Sequence, residues 1–88
     1  METFEDDDSG YHTWIYANLG GYVLNALRGA NPGEPVLHRA ICDSITPTPD
    51  KVWTSGEYIK VCSTDRFELE RWARAHDRRV TPCELCNP

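Results

Sequence analysis

Two short cysteine-bearing stretches, far apart in the chain, limit what it can fold into more than any other feature. HRAIC carries His38 and Cys42 at H-x3-C spacing, and TPCELCNP carries Cys83 and Cys86 at C-x2-C spacing between two prolines. Structural zinc sites commonly join two such pairs, because each pair reaches one ion from a single turn while the pairs themselves come from distant segments. A domain of 88 residues buries a modest share of its surface and gains much from such a tie. The spacing therefore predicts one small α+β domain with Zn2+ held by His38, Cys42, Cys83 and Cys86. Closing the loop from Cys42 to Cys83, about half the chain, would turn metal-binding energy on the order of 10 kcal/mol into folding energy.

The cysteines admit other readings. With Cys62 there are four, which allow three disulfide connectivities. METFEDDDSG is acidic where a secretory signal is basic and then apolar, so a cytoplasmic setting without a disulfide framework is expected. A thioredoxin-like pair is disfavoured because its C-x-x-C opens a helix, whereas here the chain ends two residues after Cys86. Cys62 sits in a strand-like run, where a lone cysteine acts as a small buried hydrophobe. It stays open as a replacement for His38 in the site. His76 is expected to pack at a helix end, and His12 receives no role.

The rest of the chain reads as short elements. Ser9 can cap a short helix in which Tyr11, Trp14, Ile15 and Leu19 recur at helical spacing up to Gly20 and Gly21, with a strand through HTWIYA as the rival. GYVLNAL places Tyr22, Leu24 and Ala26 on one face and Val23, Asn25 and Leu27 on the other, which suits a central strand. RGANPGEP, residues 28–35, is a loop by its prolines and glycines. EYIKVCS alternates as a second strand. Ser63, Thr64 or Asp65 then caps the main helix, about residues 65–77, whose stripe of Leu69, Trp72, Ala73 and His76, with Phe67 nearby, would pack on a short antiparallel or mixed sheet. RRVTP is extended and delivers the chain to Cys83.

The net charge of -5 is uneven. Five of the fourteen acids, Glu2, Glu5, Asp6, Asp7 and Asp8, lie in the first eight residues, leaving nine against nine Lys and Arg. Residues 1–9 are thus expected to be an acidic disordered tail on a neutral domain at 10–88. No apolar run approaches the roughly 18 residues of a membrane span.

The series LHRAIC, STDRFELERWARAH and VTPCELCNP resembles the metal-binding domain of the Ada DNA-alkylation-repair proteins and its small relatives, over roughly residues 36–88. That pattern is a C- or H-x3-C pair, a strand, a helix opened by Ser or Thr, and a closing P-C-x-x-C-x-P. The resemblance implies zinc at His38, Cys42, Cys83 and Cys86, with Cys62 on a core position of the strand. In the repair proteins the first ligand is the cysteine that accepts a methyl group from a DNA phosphotriester. Here His38 stands at that position, and a ligated imidazole has no free lone pair to act as that nucleophile, so methyl acceptance by this route is not expected.

Four protein ligands leave zinc no open position, and no phosphate loop or nucleophile beside a base accompanies them, so a non-catalytic module is expected. Nucleic acid is the first candidate partner: Arg39, Lys60, Arg71, Arg74, Arg78 and Arg79 could neutralise phosphates, with Trp53 or Tyr58 stacking on a base. Glu68, Glu70 and Asp77 are interleaved with them, as on an ordinary solvated face. A protein partner anchored by exposed aromatic residues is the alternative.

Overall fold

The computed structural model describes residues 1–29 and 34–88. The fold is α+β, with strands β1 (Glu2–Phe4), β2 (Tyr22–Leu27), β3 (Val36–Arg39), β4 (Tyr58–Ser63) and β5 (Thr81–Pro82) and helices α1 (Asp8–Ala17) and α2 (Arg66–Ala75). The five strands form one mixed sheet in the order β1-β4-β2-β3-β5, antiparallel except where β5 runs parallel to β3. Half of the loop expected at 28–35, residues 30–33, lies outside the described residues.

β2 is central because it is apolar on both sides. Val23 joins one buried cluster with Phe4, Tyr11, Ile15, Cys42, Ile45, Cys62 and Cys83, on the side of α1. Leu24 and Ala26 join a second with Leu37, Ile59, Val61, Leu69 and Ala73, on the side of α2. The sheet is therefore covered by a helix on each face, and its alternation assigns side chains to one or the other.

The acidic segment departs from expectation. It is not a disordered tail: Glu2, Thr3 and Phe4 pair with Cys62, Val61 and Lys60, and Phe4 is buried. The acids that follow have partners in space. Asp7, not Ser9, caps α1, accepting from the N–H of Gly10 at 2.8 Å. Asp8 accepts from the N–H of Trp53, the N–H of Thr54 and the Thr54 hydroxyl, at 3.0, 2.7 and 2.6 Å. Arg28 forks onto Glu5 and Asp6 and also donates to the carbonyls of Thr54 and Gly56. Composition alone suggested a solvated tail, but Glu5, Asp6 and Asp8 are matched to donors brought near by the fold.

α1 is a helix and not the rival strand, but it ends at Ala17, so Leu19 lies beyond it and is exposed. Gly21 permits the close turn into β2, since a Cβ there would lie 2.8 Å from the Trp14 ring and 3.2 Å from the carbonyl of Ser63. α2 is shorter than 65–77, and of its three candidate caps Asp65 accepts from the N–H of Phe67. Its buried stripe narrows to Leu69 and Ala73. Trp72 is half-buried with His76 stacked on it at 4.1 Å, and Phe67 faces solvent.

Candidate metal centre

β3 carries Leu37 into the α2 side and turns His38 to the α1 side, opposite Val23 of β2. Beyond Arg39 the chain bends back on itself. The N–H of Ala40 reaches the carbonyl of Gly21, that of Cys42 reaches Arg39, and those of Ile45 and Thr46 both reach Cys42. This tight turn brings Cys42 back toward His38. The second pair is positioned by the parallel contact: the N–H of Thr81 donates to Pro35 and that of Cys83 to Leu37, both at 2.9 Å. Asn87, with φ +47°, lets the turn after Cys83 close through its N–H on the Cys83 carbonyl.

The result is a cluster of His38, Cys42, Cys83 and Cys86 that could hold a metal ion, with one donor atom from each and all of them within 4.8 Å of one another. His38, Cys42 and Cys83 are buried; Cys86 is partly exposed. Ser44 bridges two donors, its hydroxyl 3.1 Å from Cys42 Sγ and 3.3 Å from His38 Nδ1. Arg39 ties the two turns together. Its backbone N–H donates to Cys86 Sγ at 3.3 Å, and its guanidinium to the carbonyls of Cys86 and Asn87 at 3.0 Å each. Neither Ser44 nor this use of Arg39 follows from the spacing alone, although Ser44 stands two residues from a ligand.

The electrostatics suit ligation. Burial, and next the charge of Lys60, hold His38 below its ordinary pKa, which favours the neutral imidazole that a metal requires. Burial pushes the Cys83 thiol up, but the N–H groups of Cys86 and Leu85, with the neighbouring thiols, outweigh it and leave the pKa lowered. Cys86 is raised, by burial first and then by the thiols beside it. Cys62 is fully buried in β4, across Val23 from His38, and takes no part in the cluster. Burial raises its thiol to about 12, so it stays protonated as a small apolar core residue. All four cysteines are free thiols.

Lys60 is a correction. Only 4% exposed, it donates to Asn25 Oδ1 at 2.8 Å and to the Trp53 carbonyl at 2.7 Å, with Tyr11 beneath it. No phosphate can reach it. Burial lowers its pKa to about 8 despite the charge of Asp8. Arg78 donates to the carbonyls of Leu27 and Gly29 and leans over Trp72, so it too is engaged within the fold. Arg71, Arg74 and Arg79 are exposed. Tyr58 is exposed, whereas Trp53 is half-buried with its ring N–H on the Thr48 carbonyl. Among the described residues no helix is long and apolar enough to cross a membrane.

No family model, no curated protein and no solved structure matches this chain.

Proposed function

We propose that this chain is a non-catalytic zinc module whose metal-binding turns present a surface to another protein. The observation that carries the zinc reading is the convergence of one imidazole and three thiols from two distant segments. Nitrogen and sulfur donors of this kind suit zinc, and four of them fill its tetrahedron, leaving no position at which water could be activated. Bound there, zinc supplies cohesion: it ties the turn after β3 to the turn after β5. The same ligand order supports an Ada-like reading of the domain, with methyl acceptance set aside because His38 stands where the accepting thiolate would be.

A protein partner is supported by Ile41 and Leu85, 59% and 81% exposed, which line one hollow beside the cluster, one on each metal-binding turn. Exposed apolar side chains gathered in one patch mark interaction surfaces, and metal-held turns would keep these two in place. Nucleic acid is the second reading, favoured by Arg74 and Arg79, which border a shallow hollow near the end of α2 together with Arg78. It is weakened by the internal engagement of Lys60, Arg39 and Arg78.

Zinc measured on protein purified without added metal is expected at one per chain, kept in Cys62→Ala and lost in His38→Ala. Metal lost only with Cys62→Ala would replace the ligand set. Binding to a DNA duplex or single strand that falls steeply with added salt and disappears in the double variant Arg74→Ala and Arg79→Ala would move the assignment from protein to nucleic acid.

A further inference from the structure

The four ligands are not equally shielded. His38, Cys42 and Cys83 are buried, whereas Cys86 is partly exposed, and with Cys42 it borders the open hollow walled by Ile41, Leu85 and Arg39. Cys42 lies beneath the Ser44 hydroxyl, 3.1 Å from its sulfur, and Cys83 is buried behind its own turn. Cys86 keeps the single N–H of Arg39 and the open side. Metal-bound thiolates remain nucleophilic in proportion to their charge and access.

Resting on the zinc reading above, we propose that Cys86 is the modification site of the centre, a thiolate that reacts with peroxides, with Cys83 as its resolving partner. The Cys86 sulfur attacks one peroxide oxygen; the S–O bond forms, the O–O bond breaks and hydroxide leaves, giving a sulfenic acid. The Cys83 thiolate then attacks that sulfur; the S–S bond forms, the S–O bond breaks and a second hydroxide leaves. Two thiolates, one hydrogen peroxide and two protons thus yield one disulfide and two waters, the sulfurs losing the two electrons that the peroxide gains. Cys83 is the preferred resolver because its sulfur sits beside Cys86 within one turn, so the new bond draws no other segment along. The metal, left with His38 and Cys42, dissociates. The device would release the tie between the two turns under oxidative conditions and be reset by thiol reductants.

The test uses the native chain, first shown to carry zinc. It is treated with hydrogen peroxide while a metal-sensitive dye follows release and peptide mapping locates oxidation. One zinc released per peroxide consumed, a Cys83–Cys86 disulfide, unmodified Cys62 and recovery of zinc binding after reduction are expected, with Cys62→Ala behaving as the native chain does. Zinc retained under excess peroxide, or a first oxidation at Cys42 or Cys62, would overturn the proposal. A chain that carries no zinc beforehand would instead refute the zinc reading itself.

Discussion

The two faces of the sheet are made by the same strands and closed by different means. On the α2 side Leu24, Ala26, Leu37, Ile59, Val61, Leu69 and Ala73 meet one another, and an amphipathic helix with a side-chain cap suffices to cover them. On the α1 side the strands offer Asn25, His38, Lys60 and Cys62, and the cover is a helix, two long turns and an acidic N-terminal segment. Apolar contact closes the first face. The second buries polar groups, each of which needs a specific partner, so its closure depends on directed hydrogen bonds and on the cluster of donors at its edge. A chain this small has little to add by packing alone on that side, and the contrast can be tested.

The largest effect is expected from the metal centre. Chelation, or Cys83→Ser, should remove a contribution on the order of 10 kcal/mol, comparable with the whole stability of a typical domain, and near-UV circular dichroism should show loss of the fixed aromatic environment around Tyr11 and Trp53. Leu69→Ala, on the other face, should cost about 2–5 kcal/mol in denaturant unfolding while zinc per chain stays at one. If that variant also loses its metal, the faces are coupled more tightly than the separation of their clusters implies.

Lys60→Met sharpens the comparison through pH. With a folded pKa of about 8 against 10.5 for the free side chain, the unfolded chain binds a proton that the folded chain has released across that window, so native stability rises with pH there. The gain lost in Lys60→Met should be on the order of 3 kcal/mol between those limits, read from unfolding curves at each pH. Asp8→Asn should cost less, about 1–3 kcal/mol, since the amide keeps one acceptor but disturbs the bonds to Trp53 and Thr54. Burial pushes the Asp8 carboxyl up, but its bonds from Thr54 and Trp53 prevail and lower its pKa below 3.8. Its contribution is therefore complete above that value and fades as pH falls through the lower folded one, so native and variant curves should converge in acid.

The sequence disclosed the four clustered donors and α2 for one reason: both depend on residues a few positions apart, where thiol spacing and helical periodicity are local signals. β2 and β4 were also legible, as runs apolar on both sides or strictly alternating. β1 was not, because Phe4 is one buried side chain among acids whose partners, Arg28 and residues 53–56, are near only in the folded chain. β3 was hidden by its four residues, two of which, His38 and Arg39, belong to the donor cluster and the turn beside it. Lys60 looked like a surface cation because alternation alone cannot say that both faces of a sheet are covered.

The parallel pairing of β5 with β3 has a consequence for how the protein is made. His38 and Cys42 are joined to the chain seconds before Cys83 and Cys86, at the usual ~5–20 residues per second. β1 waits in the same way for β4, beside which it lies in the sheet. Throughout that interval the nascent chain holds half a chelate and an unpaired β1, so metal capture waits for the second thiol pair to emerge.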